Sequence, residues 1–347
     1  MKALVKFQKG TDGVELREVE KPSAGEGELL VKVYAGGICG TDIHILNDEY
    51  EANYPVVMGH EYSGTVEEVG KNVKGFQPGD RIISMTAVVT CGECEYCRRG
   101  LLMLCPERKS IGSGVDGAFT EYMRIPAELA FHIPENVSMD VAALSEPLAC
   151  VVRGVVEMAN IKAGDYVYVS GPGAIGQLAA QVARVSGAHV TVGGTDLDIE
   201  RLEMAKELGA SETINVMRED AQARAMEITG GRGFDVAFEC AGAAPSAQTC
   251  LEVLKKTGQY GQVGLYGKKV PFDHDLALKK EIHIVNSYAS ERTSWEIVLK
   301  LLKQGNLRLE KLISNKIPLE RWREAFDIVE RKEGFKVFLV VENEDKQ

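Results

Sequence analysis

The chain has 347 residues, 45% of them hydrophobic and 26% charged, proportions that exclude a disordered, collagen-like or small disulfide-stapled protein. Lysine and arginine number 40 against 51 acidic residues, a net charge of −11, which speaks against nucleic acid or an anionic membrane as partner. No stretch reaches the ~18 uninterrupted apolar residues of a membrane span, and the start of the chain carries no signal-peptide pattern, so a cytoplasmic location is expected.

Over residues 1–148, short β runs at 1–7, 29–35, 62–69, 81–85 and 118–125 are separated by glycine and proline turns, predicting a β-rich first domain. Inside it, Cys39-Gly-Thr41-Asp42-Ile-His44 and Gly59-His60-Glu61 place a thiol, imidazoles and carboxylates in glycine-flanked loops, and Glu146 stands beside Pro147. A catalytic zinc takes three protein ligands and leaves one position open, which a mixed Cys/His/Glu set satisfies. The plain alternative is a buried Cys39 and a loop histidine that bind nothing.

Next in the chain, Cys91, Cys94, Cys97 and Cys105 form C-x2-C-x2-C-x7-C. Four thiolates in one loop leave no open position, so the spacing predicts a closed structural zinc site. An iron–sulfur cluster is the rival, since Pro106 follows the last cysteine, but the long final gap speaks against it. The segment Gly112-Ser-Gly114-Val-Asp-Gly117 matches G-x-G-x-x-G without a strand before it or a helix after it, and reads as a loop.

From Gly164 to about Ser287 the texture changes to apolar strands alternating with helical patterns, the signature of βαβ units and a parallel sheet. The strand over 166–170 runs into Gly171-Pro-Gly173-Ala174-Ile175-Gly176, and a helix with Leu178, Ala179, Val182 and Val185 on one face follows at once. That context marks a dinucleotide site, with pyrophosphate expected at the helix N-terminus. About 20 residues beyond the last glycine, Asp196 can accept both ribose hydroxyls and repel a 2′-phosphate, so NAD is expected. Asp198 competes for this role, Gly193-Gly194 separates the strand from the acid, and Arg201 is within reach.

Residues 287–347 carry helical patterns around Trp295–Leu302 and Trp322–Val329 and a last strand over 336–341, whose packing the pattern alone leaves open. With no linker between them, the two domains are expected to face one another across a ligand-binding cleft. His132, His189, His274 and His283, like Cys150, Cys240 and Cys250, have no ligand spacing and read as ordinary packing or surface residues.

Together, the motifs at Cys39–His44, Gly59–Glu61 and Glu146-Pro-Leu and the four-cysteine loop resemble the zinc-dependent medium-chain dehydrogenases over nearly the whole chain. The resemblance implies an α/β plus β fold: a GroES-like β-barrel catalytic domain over 1–148, a Rossmann domain with a doubly wound parallel sheet over 149–286, and a tail over 287–347 that returns to the first domain. It implies one catalytic zinc on Cys39, His60 and either Glu61 or Glu146, and one structural zinc. Asp42 would orient the zinc-bound imidazole, and Thr41 and His44 would relay the alcohol proton outward. The alcohol would form a zinc alkoxide and pass hydride to nicotinamide. Glu146-Pro-Leu is most similar to sorbitol and other polyol dehydrogenases, which ranks a polyol first as substrate, L-threonine second and 2,3-butanediol third. Arg292, shortly before Trp295, stands near the place of the substrate-holding arginine of sorbitol dehydrogenases. A homotetramer or dimer is implied, and the non-enzyme alternative is an inactive member that binds NAD and metal.

Overall fold

The computed structural model describes residues 1–341. Two compact units emerge: one comprises Met1–Pro147, Glu291–Gln304 and the chain from Leu309 onward, and the other comprises Leu148–Ser290 with Gly305–Arg308. No helix among the described residues is long and apolar enough to cross a membrane.

The first unit begins with strands β1 (Lys2–Lys6), β2 (Val14–Glu18) and β3 (Glu28–Gly37), helix α1 (Gly40–Leu46), then β4 (Val56–Val57), β5 (Glu61–Val69), β6 (Arg81–Ser84), β7 (Tyr122–Pro126) and β8 (Ala130–His132). The second unit contains β9 (Tyr166–Ser170), α2 (Ala174–Val185), β10 (His189–Gly194), α3 (Ile199–Glu207), β11 (Glu212–Asn215), β12 (Phe234–Glu239), α4 (Ala244–Val253), β13 (Leu254–Gln262) and β14 (His283–Asn286). The chain then re-enters the first unit with α5 (Arg292–Gln304), β15 (Ile313–Pro318), α6 (Trp322–Glu330) and β16 (Lys336–Val340).

In the first unit the main sheet runs β8-β6-β5-β3-β16-β15, with β7 also pairing β3, and a smaller sheet runs β2-β1-β4. Leu29, Val31 and Val33 of β3 alternate onto one face and bury against Tyr62, Val66, Ile82, Met123 and Ile125, the period-2 pattern of a sheet with one packed face. On the other side, Trp322 and Phe326 of α6 pack with Ile45 and Leu46 of α1, Met58, Phe119 and Leu339. The tail is fixed by β16, which runs antiparallel to β3 with Phe338 opposite Gly37 and Val340 opposite Ala35. Of the run expected over 118–125, only the portion from Tyr122 joins the sheet. Its start departs because the Gly117, Ala118 and Phe119 amides bond instead to the carbonyls of Val57, Gly59 and Met58.

The second unit holds six parallel strands in the order β11-β10-β9-β12-β13-β14. Val167, Tyr168 and Val169 of β9 are wholly buried, as expected for a parallel strand covered on both faces. The glycine pair at the end of β10 is a packing requirement, since a Cβ on Gly193 would lie 1.9 Å from the Tyr168 hydroxyl. The GroES-like first unit and the Rossmann second unit together are the fold class that the motifs imply.

Candidate metal centres and dinucleotide site

Cys39 is the N-cap of α1, and its extended backbone leads the chain from the end of β3 at Gly37 into the helix at Gly40. One turn further, Asp42 folds back: Oδ2 accepts the Cys39 amide at 2.8 Å, and Oδ1 lies 3.6 Å from His60 Nδ1. Asp42 is fully buried, and its Oδ1 has no hydrogen-bond partner among the described residues. Burial works against a charged His60 imidazole, but the carboxylate of Asp42 and the neighbouring Cys39 outweigh it and raise the His60 pKa well above its ordinary value.

His60 and Glu61 reach the same place because Gly59 precedes them in the left-handed region, at φ +91°, under the ring of Phe119. A Cβ on Gly59 would meet that ring at 2.5 Å, and one on Gly117 or Gly112 would meet the Gly59 carbonyl oxygen at 2.1 or 2.6 Å. The second glycine motif is therefore a cradle for the backbone of Gly59. Ligand atoms of Cys39, His60 and Glu61 all fall within 4.8 Å of one another. A thiol, an imidazole and a carboxylate gathered at this spacing, with the buried Asp42 carboxylate behind the imidazole, are the donors that a zinc with an open position takes.

Glu146 is buried in the first turn of the helix Ser145–Val152. Its charge acts on both Glu61 and Lys336, but it does not join the set of donors within 4.8 Å. Thr41 Oγ1 lies 3.7 Å from Cys39 Sγ, close to the donor set. His44, in the last turn of α1, directs Nδ1 to Glu49 at 2.6 Å. Arg292 is committed elsewhere, donating to the Glu128 carbonyl and lying 5.1 Å over the Phe131 ring.

Sequence reasoning missed Lys336. Its Nζ donates to Glu61 Oε1 at 2.6 Å from a position 275 residues away. Burial alone would favour loss of the lysine proton, yet Glu61 and Cys39 beside it hold its pKa above the usual lysine value, so a buried cation faces the carboxylate. The available signal was a lysine opening the otherwise apolar strand Lys336–Val340.

At the second cluster, Cys105 Sγ lies 3.6 Å and Cys97 Sγ 3.9 Å from Cys91 Sγ, and all four cysteines are free. A tetrahedron of sulfurs about 2.3 Å from one zinc has edges of about 3.8 Å, the spacing found here. A cluster of several irons would hold its thiolates further apart, so the geometry disfavours the iron–sulfur alternative. The amides of Cys94 and Cys97 donate to Cys91 and Cys94 Sγ at 3.4 Å each, and backbone donors from Glu93 and Cys94 lower the Cys91 pKa to about 7.

In the second unit, β9 ends at Ser170 and Gly171 turns at φ +97° against Ala241, leaving no room for a side chain. Gly173 caps α2 without a side-chain hydrogen bond, and a Cβ there would meet nothing within 4 Å. Ala174 and Ile175 form the first turn, and Gly176 lies so close to the Gly171 carbonyl that a Cβ would be 1.8 Å from it. Open space over unsatisfied helix amides fits a pyrophosphate. Asp198 is spent on the turn, where Oδ2 accepts the Thr195 amide at 3.0 Å and hydroxyl at 2.8 Å, and it pairs with Arg201 at 3.6 Å. Asp196 instead projects towards Asn215 Nδ2 at 2.8 Å and Arg218 Nε at 2.5 Å, and these bonds lower its pKa.

Residues 25–135 match the alcohol dehydrogenase GroES-like domain, and residues 174–304 match the zinc-binding dehydrogenase domain. The chain is 38% identical to a sorbitol dehydrogenase of Halalkalibacterium halodurans, over 98% of this chain and 99% of that protein. It is 37% identical to a D-arabitol-phosphate dehydrogenase of Enterococcus avium, over 100% and 99%. Among solved structures, a zinc-binding dehydrogenase of Sinorhizobium meliloti bound to NADP superposes with a TM-score of 0.89, at 33% identity over 98% of both chains.

Proposed function

Because the chain belongs to the zinc-dependent medium-chain alcohol dehydrogenases, we propose that it oxidises a secondary hydroxyl of a polyol with NAD, using a catalytic zinc on Cys39, His60 and Glu61. Membership makes it an oxidoreductase of the alcohol and polyol dehydrogenase class. The observation that carries the finer reading is the convergence of those three donors within 4.8 Å, with Thr41 beside them.

Bound zinc supplies Lewis-acid polarisation of a hydroxyl oxygen, and bound nicotinamide supplies the hydride acceptor. The chain's residues do the rest. The Asp42 carboxylate faces the Nδ1 side of the His60 ring at 3.6 Å, which would leave Nε2 as the ligand atom. Thr41 offers a hydroxyl that accepts the substrate proton and donates its own, and His44 passes that proton to solvent. Burial and the charge of Glu146 push the Glu61 pKa up, and Lys336, bonded to the carboxylate, offsets part of that rise and holds the side chain in place. In the second unit, Gly171, Gly173, Ala174, Ile175 and Gly176 receive the pyrophosphate, while ionised Asp196 favours ribose hydroxyls over a 2′-phosphate. Arg201 is placed on Asp198 and braces the turn that carries Asp196. Cys91, Cys94, Cys97 and Cys105 hold a second zinc that shapes their loop and takes no part in the chemistry. The relatives named for a free and a phosphorylated polyol support this substrate class.

The deciding experiment follows reduced cofactor by near-ultraviolet absorbance with NAD or NADP and, separately, sorbitol, xylitol, D-arabitol phosphate, L-threonine or 2,3-butanediol, each with and without a zinc chelator. Chelator-sensitive turnover of a polyol with NAD is expected. Turnover confined to L-threonine would replace the substrate, and a preference for NADP would replace the cofactor. Zinc-loaded protein silent in every arm would overturn the reading.

A further inference from the structure

We propose that Glu49 is a positioning residue for His44, fixing the imidazole as the tautomer that carries its proton on Nδ1 and turns the Nε2 lone pair free to take a proton. This rests on the dehydrogenase reading above, in which His44 delivers a proton to solvent. The Nδ1 to Glu49 Oε2 distance is 2.6 Å, and a carboxylate can only accept, so Nδ1 is the donor.

The pair is built by the backbone. α1 ends at Leu46, and the amides of both Glu49 and Tyr50 turn back onto the His44 carbonyl, at 2.8 and 3.2 Å. That reversal requires Asp48 in the left-handed region, at φ +59°, a conformation disfavoured for any residue with a Cβ. Asp48 is held there from three sides: buried Lys6 at 2.9 Å, the Gly10 amide at 2.5 Å and the Tyr54 hydroxyl at 3.3 Å. Lys6 is itself locked by the carbonyls of Gly10 and Leu46, at 2.8 and 3.1 Å. The Glu49 carboxylate is thus delivered to Nδ1 by a turn anchored in buried groups. An exposed ion pair between mobile side chains would lack such an anchor. The imidazole is 30% exposed and Glu49 55% exposed, so the ring meets water, as a group that hands a proton to solvent must.

Two measurements test this. In 15N-histidine-labelled protein at alkaline pH, where imidazoles are neutral, nitrogen shifts report each tautomer, and His44→Asn assigns the signal. The Nδ1-protonated form is expected in the native protein and in Glu49→Gln, whose amide oxygen still accepts, and a mixture is expected in Glu49→Ala. An unchanged tautomer in Glu49→Ala overturns the proposal. In turnover, Glu49→Ala should lower kcat about tenfold, the low end for a partner that orients a functional histidine, with KM for NAD and alcohol within twofold. Formate, added at fixed pH and ionic strength, should restore part of the rate by occupying the vacated acceptor position. A native-like kcat, or a loss that formate leaves untouched, also overturns it. If the native protein turns over no alcohol, the dehydrogenase reading fails while the tautomer measurement still decides whether Glu49 orients His44.

Discussion

Lys336 and Glu61 form a buried ion pair, with Nζ 2.6 Å from Oε1 and 6% and 0% of the two side chains exposed. Such a pair adds little stability over apolar residues of the same size, but removing one partner strands the other charge. Lys336→Met should therefore cost about 3–5 kcal/mol, and the double variant Lys336→Met/Glu61→Gln should cost less than the two single effects summed. Both tryptophans, Trp295 and Trp322, lie in the first unit, so urea unfolding of metal-free protein followed by tryptophan fluorescence reads this unit directly. Additive losses would show that the two charges do not depend on each other.

Gly117 should matter to a metal centre it never touches. A Cβ there would stand 2.1 Å from the Gly59 oxygen, so Gly117→Ala must push Gly59, and His60 with it, out of position. Backbone against backbone leaves no flexible side chain to yield, and overpacking of this kind costs about 1–3 kcal/mol. The expected result by metal analysis is a fall from two zinc ions per chain to about one, retained by the four cysteines. Two ions with unchanged affinity would mean that the loop tolerates the shift.

Much of this architecture was legible in the sequence because its signals are local. The four-cysteine loop, the turn from Ser170 through Gly176 into α2, and the His60-Glu61 step each bring their chemistry together within a few residues. What was not legible depends on distant approach. Lys336 meets Glu61 only because β16 inserts beside β3, and no local pattern assigns a lysine to a buried carboxylate 275 residues away. The second glycine motif resembled the first in letters alone, since its glycines are required by contact with Gly59. The bonds that Asp198 makes to the Thr195 amide and hydroxyl are likewise a matter of turn geometry, which the letters of the segment do not carry.

Asp196 presents its carboxylate with Arg218 and Asn215 already bonded to it. Removing it has two effects on the same surface: the acceptor for ribose hydroxyls is lost, and Arg218 is released to face a 2′-phosphate. Asp196→Ala should weaken NAD binding about 10- to 100-fold, the loss of one or two charge-assisted hydrogen bonds, while NADP binding improves. Titration of each cofactor against intrinsic fluorescence gives both constants without turnover. Equal weakening of the two would remove Asp196 from cofactor selection.

Asp235 ties three strands of the second unit together. Its Oδ2 accepts the Tyr166 amide of β9 at 2.7 Å, and Oδ1 accepts Lys255 Nζ of β13 at 2.5 Å. Burial pushes its pKa up, but the lysine and the amide outweigh burial and leave it below the ordinary aspartate value. A carboxyl whose folded pKa lies below its unfolded value, about 3.9, is protonated first in the unfolded chain. Its stabilisation is therefore complete above about pH 4 and is lost as pH falls through the folded pKa. Lys255 is 34% exposed against 15% for Asp235, so solvent screening limits the contribution to about 1 kcal/mol. Asp235→Asn should lose that amount at neutral pH, read as faster hydrogen exchange at β9 and β12 amides, and the gap from the native protein should close on acidification below about pH 4. A gap of constant size across that range would mean that Asp235 acts through shape alone, and that its charge adds nothing to the sheet.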